Sequence, residues 1–126
     1  MFKRKPSKTE TIDTLVGLKT RINGDVEFAG GFHLDGIING NVTCESSTEG
    51  FLSVSETGCI EGSVIAPNVL LNGMVKGNID AGYRVELGAK AQVLGNVHYT
   101  VIETAVGAQI NGKLIHRASG DAPLGE

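Results

Sequence analysis

Three histidines, two cysteines and a scatter of carboxylates are the side chains here that could do chemistry. His33, His98 and His116 could each serve as a general base, but none has a Ser, Cys or Asp at a recognisable catalytic spacing. They read as surface histidines. Cys44 and Cys59 form no CxxC pair and sit in different parts of neighbouring repeats, so they read as small thiols rather than a disulfide or metal ligands. Asp35, Glu45, Glu49, Glu56 and Glu86 are scattered, which suits solvated outer faces; no two are paired for acid–base work. Gly82 and Gly88 within DAGYRVELGA are most simply turns, and Gly30-Gly31 lacks the strand–helix context of a dinucleotide site. The regular Asp-bearing nonapeptides of calcium-binding solenoids are absent. The expectation is a protein with no catalytic residue, cofactor or metal.

What the chain does carry is a repeated five-residue word. It reads INGDV at 22–26, INGNV at 38–42, IEGSV at 60–64, VKGNI at 75–79, VLGNV at 93–97 and INGKL at 110–114. The central glycines Gly24, Gly40, Gly62, Gly77, Gly95 and Gly112 are spaced by 16, 22, 15, 18 and 17 residues. The long interval contains a polar insert, TCESSTEG, at 43–50. A period near 17 is too short for two packed helices or a propeller blade. Apolar residues four apart with Gly between them suggest a bend or a close backbone approach, and the word reads as two short strands meeting at a corner, with the Gly allowing the bend.

Upstream of the later words lie alternating runs. Their inward candidates are Phe32 and Leu34, Leu52 and Val54, Val69 and Leu71, Val85 and Leu87, and Val101, with Ile102 as the alternative register for the last. Three short strands per repeat make one triangular coil. Stacked coils make an all-β protein, a single parallel β-helix of about six coils of about 17 residues. Short crossovers between parallel strands favour a right-handed winding. One coil cannot bury its own apolar face, so the word must recur. Six coils at ~4.8 Å each give a rod about 25–30 Å long.

The bulk numbers agree. Apolar residues make up 40% of the 126, and the net charge is −3, which gives no general attraction for nucleic acid. No apolar run approaches the ~18 residues of a membrane span. MFKRKPSK is basic but no apolar segment of a signal peptide follows it, so the expected location is cytoplasmic.

The six words, the coil length and the TIDTLVGLKTRINGDV stretch that leads into the first word resemble the bactofilin family, as does the MFKRK start. The resemblance covers about residues 12–117 plus the extreme N-terminus. It implies a bacterial cytoskeletal scaffold that polymerises end to end without nucleotide. It also implies non-polar filaments joined head to head and tail to tail, lying peripherally on the inner face of the cytoplasmic membrane. Service in cell shape or in localising clients such as cell-wall enzymes would follow. Family members often carry an aromatic in the last coil at the polymer interface; here no Phe follows Phe51 and the last aromatic is Tyr99.

A solenoid with no evident cap exposes strand edges and apolar interior at both ends. The polymer contacts are therefore expected at Ile22, Val26 and Phe28 at one end and at Val101, Val106, Ile110 and Leu114 at the other. The division is a disordered basic tail at 1–11, the polymerisation domain at 12–117 and a disordered tail at 118–126. In the first tail, Met1, Phe2, Lys3, Arg4 and Lys5 form the expected membrane contact. Burying Phe2 contributes about 2 kcal/mol, each basic residue near an anionic leaflet adds ~1 kcal/mol, and a filament multiplies such weak anchors by avidity. The insert and the C-terminal tail are the expected places for client contacts. The competing reading is a trimeric left-handed β-helix acyltransferase, whose strict six-residue steps these spacings do not follow.

Overall fold

In the computed structural model, residues 12–45 and 50–117 are described. Among them there are sixteen β-strands and no helix. Coil 1 contains β1 (Ile12–Val16), β2 (Arg21–Asn23) and β3 (Val26–Phe28), and coil 2 contains β4 (Gly31–Leu34), β5 (Ile37–Asn39) and β6 (Val42–Cys44). Coil 3 runs through β7 (Phe51–Val54) and β8 (Cys59–Glu61) into β9 (Val64–Leu71). Strand β9 turns a corner and passes into coil 4, which continues with β10 (Met74–Val75) and enters β11 (Ile79–Leu87). Coil 5 takes the second half of β11, then β12 (Gln92–Val93) and β13 (Val97–Tyr99). Coil 6 has β14 (Val101–Thr104), β15 (Gln109–Ile110) and β16 (Leu114–His116). Every strand pairing is parallel, so the chain is a three-faced β-solenoid of six coils. The stretch 12–21, which the sequence leaves open between a first irregular coil and a loose lead-in, begins with β1, a strand paired with β4.

The repeated word is explained by register. Its first letter forms one inward column: Ile22, Ile38, Ile60, Val75, Val93, Ile110. Its last letter forms another: Val26, Val42, Val64, Ile79, Val97, Leu114. The upstream runs supply the third face, where Phe32, Leu52, Val69, Val85 and Ile102 stack, as do Val16, Leu34, Val54, Leu71, Leu87 and Thr104. Interior members such as Ile38, Ile60, Val75 and Val93 are fully buried, each contributing about 1.5–3 kcal/mol by leaving water. β-Branched residues dominate because their stiff side chains suit a stacked, pleated surface.

Two expectations need correction. Val101 is not an inward residue: it registers with Arg84 on the outward row, and Ile102 takes the inward place beside Val85. The Gly of the word is also not mainly a bend device. Of the six, only Gly24 and Gly40 have positive φ. From the second word onward, a Cβ would collide with the carbonyl of the word's Gly in the coil before: Gly40 on Gly24, Gly62 on Gly40, Gly77 on Gly62, Gly95 on Gly77 and Gly112 on Gly95. The corner stacks backbone on backbone and leaves no room for a side chain.

The fourth letter of the word has its own task. The side-chain oxygen of Asp25 accepts the Asn41 N–H at 2.8 Å, and Asn41 accepts Ser63 N–H at 2.9 Å. Asn78 then accepts Asn96 N–H at 2.8 Å and Asn96 accepts Lys113 N–H at 2.9 Å. Short amide or carboxylate side chains at this corner bind coil 1 to 2, 2 to 3, 4 to 5 and 5 to 6; at the step from coil 3 to coil 4 the letter is Ser63.

Candidate functional site: the two ends of the solenoid

Coils 2 to 5 pair on both sides, whereas the first and last pair on one side only among the described residues. At the N-terminal end, Ile22 and Val26 are only partly buried against the core. Ile12, Leu15 and Leu18 add exposed apolar surface, Leu15 and Leu18 more than 60% accessible. Phe28, expected at this interface, is instead buried, its ring centroid 5.0 Å from that of Phe32.

At the C-terminal end, Ile102, Ala108 and Ile110 are partly buried, Leu114 is half exposed and Val106 is 97% exposed on a turn. Thr104 is exposed at the end of the column that holds Leu87. Tyr99 and His116 contact each other with ring centroids 5.5 Å apart, so an aromatic pair does sit at the last two coils. The corner ladder stops at Lys113, which has no side-chain oxygen to offer a further coil. Among the described residues each end thus combines free strand edges with uncovered apolar columns, the chemistry of a surface that adds a further strand layer.

Ile110 and Leu114 are brought together with Ile102 on one terminal face, as are Ile22 and Val26 on the other. Ile102, an alternative register in the sequence, joins the terminal face, and Leu15 and Leu18 are exposed apolar residues of coil 1 that sequence reasoning missed. The alternation of VIETAV left the register of Ile102 open, and Leu15 and Leu18 carry no repeat to mark them. The expected membrane residues Met1, Phe2, Lys3, Arg4 and Lys5, both tails, and residues 46–49 of the insert lie outside the described residues.

One histidine has partners that its sequence spacing concealed. His33 Nδ1 lies 3.1 Å from Ser53 Oγ on the next coil, and Nε2 lies 3.0 Å from Asp35 Oδ1. Asp35 is held below its ordinary carboxyl range, chiefly by a hydrogen bond from Ser55 and then by the adjacent His33. The order Ser–His–Asp invites comparison with a nucleophilic triad. However, Ser53 lies mid-strand in β7, paired on both edges to β4 and β9. Its neighbouring N–H groups are spent in the ladder and cannot converge on an oxyanion. The relay binds coil 2 to coil 3. Cys44 is buried, and burial pushes the Cys59 thiol up, which disfavours the reactive thiolate. No group of three or more His, Cys, Asp or Glu residues that could hold a metal occurs among the described residues.

The chain is similar to a family model, Bactofilin, described as polymer-forming cytoskeletal, across residues 14–115. It is also 28% identical over 102 residues to Bactofilin BacO of Myxococcus xanthus (strain DK1622), a match spanning 81% of this chain and 78% of that relative. No solved structure shows a significant match.

Proposed function

Because the chain belongs to the bactofilin family of polymer-forming cytoskeletal proteins, we propose that it polymerises end to end through its two bare terminal coils, without nucleotide, into a membrane-associated scaffold. The observation that supports this reading is the pairing of coils 1 and 6 on one side only, with Ile22, Val26, Ile110 and Leu114 incompletely covered. A second copy that stacks there completes the inward columns and satisfies the strand edges. Two different self-complementary ends, each forming a two-fold contact, alternate along a non-polar filament.

The membrane contact is assigned to Met1, Phe2, Lys3, Arg4 and Lys5, whose composition pairs one aromatic with three cations. In this reading the protein lies on the inner face of the cytoplasmic membrane and its role is structural, with no turnover and no cofactor. Clients such as cell-wall enzymes would dock along the rod. The test is sedimentation of purified protein in a chelating, nucleotide-free buffer. Pelleting that needs neither nucleotide nor metal supports the reading; a monomer under all conditions refutes it.

A further inference from the structure

Among the described residues the last coil pairs on one side only, yet two arginines tie it to coils deeper in the rod. On one outer face, Arg84 Nη2 lies 2.8 Å from Glu103 of β14 and 2.8 Å from Glu86 of its own strand. On another, Arg117 follows β16 directly and donates its backbone N–H to the Tyr99 carbonyl at 2.8 Å. Its side chain then runs back past coil 5 to the carboxylate of Asp80 in coil 4.

This second pair is not an ordinary surface contact. Asp80 is 6% exposed, the one buried charged residue among those described. The Arg117 side chain is 11% exposed. In register, Asp80 stands between Ile65 and His98 on an outward row. Its second oxygen, Oδ2, and His98 Nδ1 are both buried without a hydrogen-bond partner. A carboxylate in that position depends on its cation, because removal of one partner leaves an uncompensated buried charge. Exposed ion pairs contribute little by comparison.

We infer that the Arg117–Asp80 pair is a strap that holds the sixth coil closed against the body of the rod, and that it thereby makes the C-terminal end a competent surface for a second copy of this chain. The inference rests on the proposed function for its second half only. With Arg117 anchored two coils back, β16 is fixed from its outer side as well as through its pairing with β13. Without the strap, strands paired on a single edge open locally at low cost. The edge offered to the next copy is then lost, while the N-terminal end is untouched.

The experiment compares full-length wild type with Arg117→Gln, Arg117→Lys and the double variant Asp80→Val/Arg117→Gln. The double variant removes the orphaned charge together with the strap and places an apolar residue in a row that already holds Ile65 and Ile115. Hydrogen exchange is followed below the assembly concentration and filament length above it. The strap predicts that Arg117→Gln and the double variant exchange faster at Gln109, Asn111 and the amide of residue 117, whose N–H groups donate to Ala91, Val93 and Tyr99 of coil 5, by on the order of tenfold or more, with Phe32–Leu34 and Leu52–Val54 unchanged. It also predicts that both variants stop at pairs joined through the N-terminal end, and that Arg117→Lys retains filaments. Unchanged exchange in the last coil overturns the strap. Normal filaments from the double variant overturn the second half of the inference, because they show that the strap is not needed for assembly. If wild type itself forms no filaments, the assembly reading fails, while the exchange result still decides whether the strap exists.

Discussion

A Cβ placed on Gly77 would overlap the carbonyl oxygen of Gly62 in the preceding coil and come within 2.7 Å of its carbonyl carbon. The neighbours are backbone on both sides and cannot rotate away. Gly77→Ala should therefore destabilise the solenoid by about 2 kcal/mol or more, as overpacking against rigid backbone does. A Cβ added at Gly17 would meet no heavy atom within 4 Å, and Gly17 has no positive φ, so Gly17→Ala should stay within about 0.5 kcal/mol of wild type. Urea unfolding of the two variants checks the contrast.

The terminal columns give a second test. Leu114 is half exposed on the last coil and Ile110 is partly buried beside it. A charge there cannot be desolvated against a second copy. Leu114→Glu and Ile110→Glu should leave folded, short species in velocity sedimentation, with far-ultraviolet dichroism close to wild type. Filaments of normal length would mean that the C-terminal contact lies elsewhere.

Acid should find the relay between coils 2 and 3. The carboxyl of Asp35 is depressed below its ordinary 3.8, first by Ser55 and then by His33. A depressed carboxyl contributes stability that is present above its unfolded value and lost as pH falls through the lower folded value. Ser55→Ala removes the largest cause, so the variant should melt below wild type at about pH 5 and above, and the two curves should converge as pH falls toward about 2. Thermal melts from about pH 5 down to about pH 2 measure it.

For the N-terminal segment, deletion of residues 2–5 removes Phe2, Lys3, Arg4 and Lys5. Co-sedimentation with anionic vesicles should fall, and the residual binding of full-length protein should weaken as salt rises. Vesicle binding unchanged by the deletion would contradict the anchor assignment.

Much of this architecture is legible because a solenoid writes its register into the sequence. The Ile-x-Gly-x-Val spacing fixes two inward columns and the corner between them, and both lie where the periodicity predicts. Other features are not legible, each for a physical reason. Val101 and Ile102 are both apolar, so alternation cannot choose between them; the pairing of Val85 with Ile102 does. His33, Ser53 and Asp35 meet because coil 3 lies on coil 2, at a sequence distance set by the insert rather than by any motif. Nothing in the sequence marks Asp80, because its partner is an arginine 37 positions later. The word's glycines mark corners, but whether a bend or a close approach selects them is decided only by the stacked backbone.

The most direct measurement is electron microscopy of the purified full-length protein with neither nucleotide nor metal added. End-to-end assembly predicts unbranched filaments one solenoid wide, with a subunit spacing of about 25–30 Å set by six stacked coils and with two-fold axes perpendicular to the filament. Discrete trimers or isolated rods at every concentration would contradict it.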